Sequence, residues 1–122
     1  MPYRKFKKRG HLCLEPKVSI KKRGGIAFNR YAGETFNLNK YKYAELFYDE
    51  EKEIMGVKPT HFKSKDQYSL FAVNGEIRIS CKLFFDYNNI SYNETHRRDV
   101  KYDDITGMIL ISMKDNKKFR QE

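Results

Sequence analysis

Tyr48-Asp49-Glu50-Glu51-Lys52-Glu53-Ile54-Met55-Gly56-Val57 has a counterpart later in the chain, Tyr102-Asp103-Asp104-Ile105-Thr106-Gly107-Met108-Ile109-Leu110-Ile111. Each begins with Tyr-Asp, passes through a polar turn and ends in an apolar run, the pattern of a hairpin turn and its returning strand. Each is also preceded by a tight-turn hairpin, since Ser19-Ile20-Lys21-Lys22-Arg23-Gly24-Gly25-Ile26-Ala27-Phe28 lies on Leu70-Phe71-Ala72-Val73-Asn74-Gly75-Glu76-Ile77-Arg78-Ile79. The Tyr-Asp segments are offset by three residues more than the earlier pair, so three residues entered between the two matches. Two matches in the same order point to a duplicated unit of about 45 residues.

Outward from these segments the local signals agree. Val18 and Ile20 alternate with polar residues up to Gly24-Gly25, which supply positive φ for a two-residue turn, and Ile26 and Phe28 resume the alternation. Asn29 is placed to cap a short helix carrying Tyr31, Ala32, Thr35 and Phe36. Residues 41–48 read as a strand, Asp49 to Glu53 as a charged turn, and 54–58 as a strand that Pro59 stops. In the second half, 70–73 and 77–79 flank Asn74-Gly75, the strongest short-range turn signal, and Ser80 is placed to cap a helical turn with Leu83, Phe84 and Tyr87. A polar loop at 88–93 holds the insertion, and 95–102 and 108–113 form the last hairpin. The expected fold is mostly β, with internally duplicated β-β-α-β-β units. Its parts are a basic arm at 1–16, one β domain at 17–113 with halves 17–60 and 69–113 about a linker at 61–68, and a polar tail at 114–122.

A chain of 122 residues fits one domain with a real core, to which nine Tyr and nine Phe contribute large areas. No stretch approaches the ~18–20 apolar residues of a membrane span, and the first twenty residues lack a secretory apolar run, so a cytoplasmic protein without membrane contact is expected. Cys13 and Cys81 form no C-x-x-C pair and read as reduced, buried small hydrophobes. His11-Leu12-Cys13 brings two potential metal ligands together, but no second pair completes a tetrahedral site, and no cofactor is expected. The acidic clusters Asp49-Glu50-Glu51-Glu53 and Asp99-Asp103-Asp104 sit at hairpin turns and fit ordinary turn chemistry. With no nucleophile beside a legible base and no glycine-rich phosphate loop, the sequence does not read as an enzyme.

Charge is the most directional signal. Residues 1–25 hold Arg4, Lys5, Lys7, Lys8, Arg9, Lys17, Lys21, Lys22 and Arg23 against Glu15 alone, which accounts for nearly all of the net +9. A charge kept for solubility would be spread with both signs mixed, so this asymmetry points to an anionic partner at one end of the molecule.

Val18-Ser19-Ile20-Lys21-Lys22-Arg23-Gly24-Gly25-Ile26-Ala27-Phe28-Asn29, then Leu38, residues 43–48 and residues 54–59 resemble the AbrB-like swapped-hairpin DNA-binding family, with 69–113 as a degenerate second copy. The resemblance implies that two interleaved units form one small barrel, here an intrachain pseudo-dimer, and that the barrel binds DNA. The match departs from the family at Asn29, where proline is common, and at Gly33-Glu34, where basic residues usually stand. Lys21, Lys22, Arg23 and Arg30 match in sign and place. The second copy, with Asn74 and Glu76 at its turn and Arg78 and Lys82 nearby, is poorer, so the implied DNA surface belongs to the first half and the arm.

The preferred reading is a double-stranded DNA-binding regulator contacting phosphates through Arg4, Lys5, Lys7, Lys8, Arg9, Lys17, Lys21, Lys22, Arg23 and Arg30. Neutralising ~4–6 phosphates would give a log-log salt slope of about −4 to −5. The alternatives are single-stranded DNA or RNA, with Tyr3 and Phe6, and further Phe28, Tyr31, Tyr41 and Tyr43, stacking on bases, or an accessory subunit of a ribonucleoprotein or transcription complex. Homodimerisation or a larger nucleoprotein assembly stays open at this level.

Overall fold

The structure, a computed structural model, describes residues 15–92 and 94–113. Two hairpins, β1 (Lys17–Lys21) with β2 (Gly25–Phe28) and β3 (Tyr43–Asp49) with β4 (Ile54–Thr60), flank the helix α1 (Arg30–Thr35) and a 3-10 turn at Leu38–Lys40. After a loop at 61–67 come β5 (Tyr68–Ser69), β6 (Phe71–Val73), β7 (Glu76–Ser80), the helix α2 (Lys82–Tyr87), β8 (His96–Asp103) and β9 (Met108–Ser112). The protein is mostly β, and its strands form one antiparallel sheet in the order β5-β3-β4-β9-β8-β1-β2-β7-β6. The strands at the two ends of that order are separated in the chain by Leu70 alone, so the sheet curls into a nearly closed barrel.

Closure occurs through a change of partner within six residues. Tyr68 and Ser69 pair with Ala44 and Tyr43, the Leu70 N–H donates to the Lys42 carbonyl at 2.9 Å, and Phe71 to Val73 then pair with Arg78 to Glu76. Alternation along each strand turns one apolar row inward: Val18 and Ile20, Ile26 and Phe28, Met55 and Val57, Ile77 and Ile79, Ile109 and Ile111 are all buried. Ala32 of α1, Leu38 and Phe85 of α2 join the same cluster. A fully buried phenylalanine such as Phe28 or Phe85 contributes about 1.5–3 kcal/mol by removal of its surface from water.

Several local expectations hold and three are corrected. Asn74 and Gly75, at φ 51 and 86, form the two-residue turn that Asn-Gly signals. Asn29 caps α1, its Oδ1 accepting from the Ala32 N–H at 2.8 Å. The first hairpin, however, turns through three residues, Lys22, Arg23 and Gly24, and of the two glycines only Gly24 has positive φ, at 91. Gly25 begins β2, where a Cβ would stand 2.6 Å from the Ile79 carbonyl oxygen, so the bare backbone there serves the close approach of β7. Ser80 does not cap α2. It is committed to the β2–β7 pairing opposite Gly25, and Cys81 holds the cap position without a side-chain bond. Pro59 does not end β4 but lies within it, opposite Ala44; β9 pairs only with residues 54–57, so no partner on that side asks Pro59 for the N–H it lacks.

Candidate nucleic-acid interface

The first turn is built on a strand pair and rests on a helix. Lys21 ends β1, Lys22 and Arg23 stand exposed at the tip, and the Gly24 carbonyl accepts from the Cys81 N–H at 2.9 Å just before α2 begins. A Cβ on Gly24 would lie 2.6 Å from the Cβ of Lys82, so the turn is seated on the first residue of α2.

Because Val18, Ile20, Ile26, Ile77 and Ile79 point inward, the same alternation puts Ser19, Lys21, Gly25, Ala27, Arg78 and Ser80 on the opposite face. Register aligns Arg97, Ser19, Ala27, Arg78 and Phe71 in one row across five strands. Between this face and the turn lies a groove of about 480 Å³, lined by Lys21, Lys22, Arg23, Arg78, Phe71 and Thr95 among others. Arg78 is held in place by Glu76, which accepts from its Nε at 3.1 Å and its Nη2 at 2.8 Å. Four basic side chains from two distant parts of the chain therefore converge on one recess.

Two other recesses lack this character. One of about 410 Å³ mixes Glu53 and Glu94 with His96 and Arg98. Another, of about 370 Å³, has the stacked rings of Phe36 and Tyr102, 6.2 Å apart, and a single basic residue, Lys40. Neither concentrates one sign of charge as an anion site does.

Of the residues singled out from the sequence, Lys21, Lys22 and Arg23 come together in the first groove. Lys17 lies at the far end of β1, where it forms an ion pair with Asp99 of β8 and approaches Glu15 at 3.6 Å. Arg30 opens α1 beyond the far end of β2, with its guanidinium against Gly75 of the second turn. Arg4, Lys5, Lys7, Lys8, Arg9, Tyr3 and Phe6, with His11 and Cys13, lie outside the described residues. Phe28 is fully buried in the core and Tyr41 stacks on His61 at 4.6 Å, while Tyr31 of α1 is exposed. Arg78 and Phe71 are additions. Arg78, set between two buried isoleucines, is legible as outward-facing, but nothing local says that β7 lies beside β2.

The acidic turns are occupied with their own backbone. Asp49 Oδ1 accepts from the Lys52 N–H at 3.1 Å, and Asp103 Oδ2 accepts from the Thr106 hydroxyl at 2.5 Å and its N–H at 3.3 Å. The Thr106 hydroxyl is the main reason the Asp103 carboxyl titrates below its ordinary value. Burial pushes the Cys81 thiol up to about 12, which leaves it without thiolate at neutral pH. Among the described residues no three His, Cys, Asp or Glu side chains gather as a metal site, and no helix is long and apolar enough to cross a membrane. Comparison with family models, with curated proteins and with solved structures finds no match to the chain.

Proposed function

We propose that the protein is a non-enzymatic nucleic-acid-binding protein whose phosphate contacts are made by Lys21, Lys22, Arg23 and Arg78. The observation that carries this reading is the convergence of the first turn and the middle of β7 on one groove. Two lysines and two arginines within one recess raise the local potential more than the same charges scattered, with the Glu76 carboxylate on Arg78 offsetting part of it, and Arg23 supplies forked donors suited to phosphate oxygens. The seating of Gly24 on Lys82 weighs against a ribbon that projects into the groove of a duplex and favours a backbone lying across the sheet.

The same proposal covers the scaffold. Residues 17–60 and 69–113 are two copies of a hairpin-helix-hairpin unit, interleaved in the manner of the swapped-hairpin family. The pairing Tyr48 with Met55 is matched by Tyr102 with Ile109 at the same offset, β2 pairs with β7, and β4 pairs with β9. Each first turn also meets the opposite helix, Gly24 at Lys82 and Gly75 at Arg30.

The test is a salt series on the intact chain. Four neutralised phosphates give a log-log slope near −3.6 on duplex and near −2.8 on a single strand, at about 0.9 and 0.7 per contact. The K22E/R23E variant should flatten that slope by roughly two contacts' worth. Salt-independent affinity, or an unchanged slope in the variant, would sink the proposal.

A further inference from the structure

The geometry points to a base-stacking site at Phe71, so that the ligand of the basic groove is a single nucleic-acid strand with unpaired bases. This rests on the reading of the groove as a phosphate site. Phe71 lies on β6, which pairs with β7 alone, and is 43% exposed; Phe47, Phe62 and Tyr87 are exposed as well, but Phe71 is the aromatic residue that lines the basic groove. It stands directly opposite Arg78 on the outward face, and both line the groove.

The floor between Phe71 and the Lys21 rim is made of the smallest side chains available. Gly25 and Ser80 line the groove there and carry nothing larger than a hydroxyl, and Gly25 is kept bare by the Ile79 carbonyl. At about 4.8 Å per strand, β6 and β1 are roughly 14 Å apart across β7 and β2. That leaves a groove with cations on one rim and an aromatic ring beside a guanidinium on the other. Sheet-based binders of single strands use this combination, because every base has a π-face while every phosphate needs a cation. In a duplex the bases are already stacked and paired, so Phe71 would gain nothing from them.

The intact protein is titrated at low salt with a short labelled oligothymidylate, an abasic strand of the same length and a duplex of the same length. F71A is expected to weaken oligothymidylate binding about tenfold, within the range that alanine substitution gives at stacking contacts, and to leave the other two ligands within about twofold. F71W should restore the loss, which a merely structural role would not predict, and circular dichroism should show both variants folded. Equal weakening of all three ligands by F71A, failure of F71W to restore affinity, or tighter binding of duplex than of strand by the wild type each overturns the stacking site. If K22E/R23E weakens every ligand while F71A weakens none, stacking falls and phosphate contact stands. If the wild type shows no salt-sensitive binding, both fall.

Discussion

Lys82 stands with its Cβ and Cγ in the space that a side chain on Gly24 would need, 2.6 and 2.9 Å from the position of that missing Cβ. The relation joins the first turn to a helix almost sixty residues later. Gly75 stands in the same relation to Arg30, but there the nearest atoms are the guanidinium Nη2 and Nε, at 2.6 and 2.8 Å.

The difference predicts an ordering. Both glycines have φ near +90, so alanine at either costs about 1–2 kcal/mol of backbone strain. At Gly24 the obstacle is the root of a helical side chain, which cannot swing aside, and overpacking adds about 1–3 kcal/mol. At Gly75 it is the end of a long arginine, which can. G24A should therefore lower the urea midpoint clearly more than G75A, and the reverse order would contradict the seating of the turn.

Lys17 and Asp99 tie β1 to β8 as a partly buried ion pair. Removing one partner leaves the other charge poorly solvated, so K17M or D99N should each destabilise by about 1–3 kcal/mol. K17M/D99L should cost less than the two losses added, because no orphaned charge remains. A double-mutant cycle by urea denaturation checks this, and strict additivity would mean that the pair does not couple the strands.

Cys81 is 1% exposed, and its raised thiol leaves no thiolate to react. Iodoacetamide at pH 8 should leave the Cys81 peptide unmodified in the native protein and alkylate it fully in denaturant, as read by peptide mass mapping. Native labelling at the rate of a free thiol would show that α2 does not stay seated.

Asp103 predicts a pH effect. Its folded carboxyl titrates below its ordinary value, so its stabilising contribution is present above about pH 4 and fades as pH falls through the depressed folded value. T106V removes the hydroxyl that causes the depression. The gap in melting temperature between wild type and T106V should be open at pH 7 and should close on acidification; a gap constant with pH would assign it to packing.

What the amino-acid sequence made legible was local. Asn74-Gly75, the Asn29 cap and the inward rows at Val18, Ile20, Ile77 and Ile79 follow from turn chemistry and alternation, which act over a few residues. Ser80 and Pro59 misled because their roles depend on which strand lies alongside, β2 for Ser80 and the reach of β9 for Pro59, a choice made by packing across more than fifty residues. The candidate site divides the same way. Lys21, Lys22 and Arg23 are contiguous and were visible, whereas Arg78 and Phe71 join them only through the β2–β7 pairing, and Lys17 and Arg30 are drawn to the other end of the sheet.

The cross-pairing of β1 with β8, β2 with β7 and β4 with β9 also bears on biosynthesis. When β2 has left the ribosome, about eighty residues must still be added before β9 exists, roughly 4–16 s at 5–20 residues per second. Within that interval each strand presents an open hydrogen-bonding edge until its own partner is made, β2 until β7 about fifty residues after it, β1 until β8 and β4 until β9, the conditions under which nascent chains stick to one another. The lysines and arginine at the first turn set like charges of neighbouring nascent chains against one another during that time.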